Sequence, residues 1–229
     1  MTATTDARSL DALLAHQDPG RWDRFYADRS RPVPFFGPAP DENLAAWIDE
    51  GLVRPGKAID LGCGFGRNAV HLARHGFDVE AVDYSEAALA WGREAAQEAG
   101  VDVAFVRSDV FELQPAEAAY DFVYDGGCFH HIAPHRRAQY VELVVRALRP
   151  GGTFGLTCFR PEGGSGFSDD EVYRRGTLGG GLGYTDAQLR AIWSGPLAIE
   201  DLRPMRKPAP GSGTFGEPFL WVLRARKPA

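Results

Sequence analysis

The sequence predicts an α/β fold: a doubly wound, seven-stranded sheet, mostly parallel, with an antiparallel pair at its C-terminal edge. Three observations predict it. Between residues 57 and 159, short apolar runs alternate with longer segments of helical spacing, the pattern of a parallel sheet with crossover helices. The first run opens KAIDLGCGFGRNAVHLARHG, residues 57–76, which reads as buried strand, glycine turn and helix. The last two strand patterns, 198–205 and 219–226, are joined by a proline- and glycine-rich loop with no helical spacing, which suits antiparallel neighbours.

A chain of 229 residues, 44% hydrophobic and 24% charged, can bury a full core. A net charge of −6 leaves no cationic surplus for phosphate backbones, so nucleic acid is not the expected partner. Cys63, Cys128 and Cys158 are odd in number and fit no zinc spacing, so a reduced, cytoplasmic protein without a metal is expected. The first ten residues lack the apolar core of a signal peptide, and no apolar run approaches the ~20 residues of a membrane span.

In chain order, Leu10, Leu13 and Leu14 mark a short helix within a polar start that is expected to fray. Next comes RWDRFYADRSRPVPFFGPAP, a short helix and then an extended segment, because its prolines forbid a continuous helix. Its aromatics, Trp22, Phe25, Tyr26, Phe35 and Phe36, either pack on the core or close a lid over a site. Asp41 is placed to cap a helix that Gly51 ends, with Leu44, Trp47 and Ile48 on its apolar face. Residues 1–50 thus form an N-terminal helical and aromatic flap, and 51–229 the main domain.

Beyond the glycine turn, strands are expected at 77–82, 101–106, 120–124 and 153–159. Helices are expected at 85–99, with Ser85 as N-cap, and at 134–148. The pattern lapses at 160–184, a glycine-rich insertion of a length that is usually functional or disordered. Thr185 with Gln188 then reads as a capping box opening a helix that buries Leu189, Ile192 and Trp193.

Two ligands suit the glycine turn. A dinucleotide would use Gly-x-Gly-x-x-Gly, but Arg67 stands three residues after Gly64. The alternative, Asp-x-Gly-x-Gly-x-Gly, is met at Asp60, Gly62, Gly64 and Gly66. With Asp83 at the end of the second strand and LRPGG at 148–152, the stretch resembles class I S-adenosylmethionine-dependent methyltransferases over about residues 51–159. The resemblance implies a Rossmann-like sheet and S-adenosylmethionine as cofactor, leaving S-adenosylhomocysteine as product. It implies that Asp60, Gly62, Cys63, Gly64, Gly66 and Asn68 surround the methionine end, under Tyr26 of the flap. Asp83 is then expected on the ribose hydroxyls, Tyr84, Asp109 and Val110 on the adenine, and Asp125 at the fourth strand end.

The stretch YDFVYDGGCFHHIAPHRR follows that fourth strand, where this family faces the methyl group and the acceptor. His130 and His131 are the candidate bases; as neighbours their rings diverge, so one at most is expected to face the cleft, and positioning alone can drive the displacement. Trp22, Phe35, Phe36, Phe129, Tyr173, Arg174 and Tyr184 are expected around a small-molecule acceptor, closed under the flap and the glycine loop. A monomer or homodimer acting on a small molecule is expected. A thiol or thiopurine S-methyltransferase, or a binding protein without transfer activity, is the alternative.

Overall fold

The computed structural model describes residues 7–14 and 20–229. The frayed start expected before residue 7 lies outside the described residues. Helices α1 (Ala7–Leu13), α2 (Gly20–Ala27) and α3 (Glu42–Asp49) precede strand β1 (Lys57–Leu61). Helix α4 (Arg67–Arg74), β2 (Asp78–Asp83), α5 (Glu86–Ala99), β3 (Ala104–Arg107) and β4 (Tyr120–Asp125) follow. Two short 3₁₀ turns lead into α6 (Arg137–Ala147), then β5 (Leu148–Phe159), α7 (Asp169–Arg175), α8 (Asp186–Trp193), β6 (Ala198–Pro204) and β7 (Leu220–Arg226).

The seven strands lie in the order β3-β2-β1-β4-β5-β7-β6. The first five are parallel, and β7 runs antiparallel to both β5 and β6. The C-terminal pair is therefore antiparallel as expected, with the later strand inserted against β5. The chain leaves β1 toward β2 on one side and returns to β4 on the other. That reversal opens a crevice beyond the carboxyl ends of β1 and β4, where open α/β sheets bind ligands.

Period-two alternation divides each central strand between two cores. Ile59, Leu61, Val123, Phe154, Leu156 and Cys158 meet Tyr140 and Val144 of α6 and Leu189 and Trp193 of α8. Ala58, Val79, Ala81, Phe122 and Tyr124 meet Leu44 and Trp47 of α3 and Ala69 and Leu72 of α4. A third, aromatic cluster joins α2 and the segment after it to α5, with Tyr26 and Phe65 buried beside Trp22, Phe36 and Trp91. Each large apolar side chain so buried contributes about 1.5–3 kcal/mol, which makes this docked cluster more than a surface decoration.

Ser85 caps α5 by accepting from Ala88 N–H, and Thr185 and Gln188 form the expected capping box. Asp41 differs. It occupies the N-cap position of α3 but makes no capping bond. Its carboxylate is fully buried and drawn instead to Arg67, Asn68 and the Tyr124 hydroxyl, because an ion pair with two further donors outcompetes a backbone N–H. The glycine-rich stretch also holds an unexpected helix, α7, opened by a Ser168–Glu171 capping box. The glycine count hid it, although Ser-x-x-Glu was there to be read.

Candidate active site

The glycine turn begins where β1 ends. Gly62, Gly64 and Gly66 all have positive φ, and Gly66 stands at the N-cap of α4. All three are required by space as well, Gly62 and Gly64 most tightly. A Cβ on Gly62 would lie 2.6 Å from Cys128 Cβ, and one on Gly64 would lie 2.5 Å from the Tyr26 hydroxyl. So the turn is pinched between the loop after β4 and the flap helix α2.

Beneath it sits Asp60, 1% exposed, with neither carboxylate oxygen hydrogen-bonded among the described residues. Burial, then the neighbouring Asp125 and Asp41, push its pKa up to about 8. A buried carboxyl without partners is costly unless a ligand supplies them. An ammonium group is the natural complement.

Asp83, at the end of β2, holds Gly64 N–H and Ser85 N–H on its two oxygens, at 2.9 Å each. It thereby ties the glycine turn to the start of α5; burial nonetheless raises its pKa. Ser85 is held in turn by Asp23 of the flap, which accepts from Ser85 Oγ (2.8 Å) and Ala87 N–H (3.1 Å).

Two adjoining compartments surround this turn. One, of about 650 Å³, is lined by Asp83, Tyr84, Asp109, Val110, Phe111 and Cys128, and reaches Asp11, Arg136 and Leu178. The other, of about 630 Å³, is lined by Asp60, Cys63, Gly64 and Asn68 and by Phe25, Phe35, His130, Thr157, Phe159, Phe215 and Phe219. Arg21, Trp22, Tyr26, Gly62, Gly127 and His131 line both and form the passage between them.

His130 and His131 do not diverge as expected: their ring centroids lie 4.3 Å apart and both line the second compartment, because the 3₁₀ turn that carries them keeps the two rings on one side. His130 is buried and stacks on Phe159 at 3.8 Å, with its Nδ1 unpartnered among the described residues. His131 meets the Trp22 ring edge-on at 4.7 Å and lines the passage. Burial lowers the pKa of both, that of His131 to about 3 with help from Arg21. Both rings are therefore neutral near pH 7. Such weakly basic imidazoles are poor proton acceptors.

Several residues expected at the site lie elsewhere. Asp125 lines neither compartment. Its carboxylate accepts from the N–H groups of Gly127, Cys128 and Phe129 and from the Tyr140 hydroxyl, so it shapes the loop that carries the histidines. Burial raises its pKa to about 6. Phe129 and Tyr184 are buried and stacked on each other at 5.1 Å, away from the cavities, because the loop turns Phe129 into the main core. Tyr173 is bonded to His135, and Arg174 lines neither compartment. Phe36 supports rather than lines, packed between Tyr26 and Trp91.

Sequence reasoning did not single out Arg21, Asp23, Thr157, Phe159, Phe215 or Phe219. Only the position of Phe159 at a strand end carried a signal. Phe215 and Phe219 come from the loop before β7, which nothing local marks. Among the described residues no group of three or more His, Cys, Asp or Glu is placed to hold a metal, and no helix is long and apolar enough to cross a membrane.

Comparison with known proteins agrees with this geometry. Residues 58–152 match the family model described as a methyltransferase domain. The 2-heptyl-1-hydroxyquinolin-4(1H)-one methyltransferase of Mycobacteroides abscessus is 26% identical over 175 residues, 76% of this chain and 72% of that protein. The ribosomal RNA small subunit methyltransferase C of Alcanivorax borkumensis is 33% identical over 120 residues, 51% of this chain and 36% of that one, so the chain spans about a third of its length. Among solved structures, the Burkholderia thailandensis 1,6-didemethyltoxoflavin-N1-methyltransferase with bound 1,6-didemethyltoxoflavin and S-adenosylhomocysteine superposes with a TM-score of 0.72 at 26% identity. That match covers 98% of this chain and 91% of that chain. With the Asp60 glycine turn, the sheet order and these matches together, residues 58–152 carry a methyltransferase domain, and the chain is similar in sequence and fold to class I S-adenosylmethionine-dependent methyltransferases.

Proposed function

We propose that this protein transfers the methyl group of S-adenosylmethionine to a small aromatic molecule held in the compartment lined by Phe35, Phe159 and Phe219. The observation that carries the proposal is the unpartnered Asp60 carboxyl under a glycine turn, at the meeting point of two cavities of ligand size. S-adenosylmethionine supplies a methyl group already activated on a sulfonium.

The chain's own residues then have separable tasks. Asp60 accepts the ammonium of the methionine end, Asp83 the ribose hydroxyls, and Tyr84 and Val110 border the adenine. Cys63, Gly62, Gly64, Gly66 and Asn68 form the surrounding turn. The flap, residues 20–40, excludes water and holds the acceptor in line with the transferring methyl, so that positioning supplies much of the rate. The insertion at 160–184 supports it from below: Leu182 N–H donates to the His130 carbonyl, and Gly180 borders the acceptor. His130 and His131 act through shape rather than as strong bases.

A small acceptor is supported by the enclosed aromatic walls and by the names of the longer matches, one of which is for a quinolinone. The net charge of −6, with no cationic surplus, supports an enzyme without a nucleic-acid partner; this reading takes it to be cytoplasmic and monomeric or dimeric. Calorimetric titration with S-adenosylhomocysteine, followed by turnover across a panel of quinolinones and related bicyclic aromatics, tests the proposal. Absence of S-adenosylhomocysteine binding would end it.

A further inference from the structure

We infer that the acceptor compartment takes its substrate as a planar aromatic anion, an oxygen or nitrogen acid ionised on the ring, with Arg21 as its counter-charge. The inference rests on the methyltransferase reading and narrows its substrate.

Charge is divided between the two compartments. Asp11, Asp83, Asp109 and Glu112 line the cofactor side, where Arg136 is paired to Asp11. The acceptor side has Asp60 as its one lining carboxyl among the described residues, against Arg21, Arg24, Arg31 and Arg67. Arg67 is committed to the buried Asp41 at 2.6 Å, and Arg31 lies 3.5 Å from Asp28. The Arg21 guanidinium sits 5.3 Å from the Trp22 ring centroid and makes no ion pair among the described residues. It stands at the passage, where the reacting centres must meet.

The walls select for flatness. His130 lies parallel to Phe159 at 3.8 Å, an existing ring stack, and Trp22 and Phe35 face the same space. The histidines then explain the ionisation state. Held neutral and weakly basic by burial, they are unsuited to removing a proton from a neutral acceptor. An acceptor that arrives ionised needs no base. Its ring lone pair forms the new bond to the methyl carbon while the carbon–sulfur pair stays on sulfur. One negative and one positive charge vanish together and no proton is released. The neutral product loses its attraction to Arg21, which favours its departure.

Two probes of nearly equal shape test this: 7-hydroxycoumarin, mostly neutral at mildly acidic pH, and its 6,8-difluoro analogue, ionised there. Binding of S-adenosylhomocysteine is measured first by calorimetry, and failure there would sink the methyltransferase reading itself. With S-adenosylhomocysteine bound, the difluoro compound is expected to bind about tenfold tighter, the worth of one charge-assisted contact. The anion absorption band of the parent compound should also grow on binding. Arg21→Gln should erase the preference and Arg21→Lys should keep most of it. Equal affinities, a bound parent in its neutral form, a preference that survives Arg21→Gln, or no binding of either coumarin would each overturn the inference while leaving the cofactor assignment standing.

Discussion

The two compartments that meet at Gly62 are built in opposite ways. The cofactor side is made from strand ends, Asp83 closing β2 and Asp109 and Val110 just past β3, with Asp60 of β1 opening into the neighbouring compartment across the glycine turn. The acceptor side shares the glycine turn, but its other walls are gathered from distant stretches, chiefly around 21–35, 126–131, 157–159 and 215–220. The first is acidic and anchored in the sheet; the second is aromatic, cationic at its mouth, and roofed by a docked segment. A fixed cofactor needs a site that the sheet holds rigid. An acceptor that varies between relatives needs walls that can change without disturbing the sheet. Substitutions that separate cofactor affinity from acceptor affinity would therefore sharpen the contrast, and any that moved both equally would blur it.

The largest effect is expected from Gly64→Val. At φ +55° a β-branched residue is strained, and its Cβ would meet the Tyr26 hydroxyl at 2.5 Å. Calorimetry should find S-adenosylhomocysteine binding lost, by about a hundredfold or more, in a protein whose circular dichroism is unchanged; each factor of ten is about 1.4 kcal/mol. Normal binding by this variant would remove the turn from the site.

Asp60→Asn comes next, with a distinctive pH signature. In the free protein the Asp60 pKa of about 8 lies above the ordinary carboxylate value near 4. The folded state therefore binds the proton more tightly, and the stability this lends is full below about pH 4 and is lost as pH rises through about 8. Thermal scans without ligand should show melting temperature falling with pH in that window, with a flatter profile for the Asp60→Asn variant. Pairing with an ammonium requires the carboxylate, so ligand binding near pH 7 should release a proton. That release is measurable as a dependence of the binding heat on buffer ionisation enthalpy, and the variant should lack it and bind about ten- to a hundredfold more weakly. Wild-type binding heat independent of the buffer would contradict the raised pKa.

The place of Asp60 and Gly64 in one strand-turn-helix unit was legible without the structure because strand, turn and acid are contiguous, so local spacing fixes their geometry. The same is true of Asp83, Tyr84 and Val110. The parallel sheet and its antiparallel edge followed from the alternation of patterns and from the helix-free loop before β7. What could not be read was anything assembled by tertiary packing. Phe215 and Phe219 reach the acceptor side through a loop without periodicity. Asp41 reads locally as a helix cap, and only the burial of Arg67 beside it redirects it. Tyr184 and Phe129 look like exposed aromatics of a lid and a catalytic loop, yet each fills the core. An aromatic side chain carries no local sign of which side of a wall it faces.

Asp83→Ala should weaken S-adenosylhomocysteine binding by about tenfold, since hydrogen bonds to a charged acceptor are worth about 1.5–3 kcal/mol. Unchanged affinity would release Asp83 from the ribose. Trp22→Ala tests the other side. It removes the ring that meets His131 edge-on and forms part of the passage. Steady-state kinetics should show acceptor KM rising about tenfold, given aromatic contacts of about 0.5–1.5 kcal/mol beyond the area lost. Cofactor KM should move less than acceptor KM; an equal change in both would mean that the compartments are one site.

The smallest effect is expected at the hinge of the comparison, Asp23. This residue belongs to the flap, yet its carboxylate caps the helix that follows strand β2. It accepts from Ser85 Oγ and Ala87 N–H, while Ser85 N–H donates to Asp83. The flap is thus latched to the same helix start that holds Asp83. Burial opposes ionisation of Asp23, but those hydrogen bonds outweigh it and lower its pKa. A lowered value means the latch is intact above the ordinary carboxylate range and is lost only as pH falls through the folded pKa, below about 4. Neutral pH therefore cannot open it, and substitution must. In Asp23→Ala, amide exchange over residues 20–36 should quicken while that of the glycine turn stays slow, because Asp83 keeps its own bonds to Gly64 and Ser85. Acceptor KM should rise about two- to fivefold, the scale of a lost helix cap, with S-adenosylhomocysteine affinity nearly unchanged. A larger loss in cofactor affinity than in acceptor KM would show that the latch serves the sheet side, and the division between a rigid cofactor half and a docked acceptor half would have to be redrawn at Ser85.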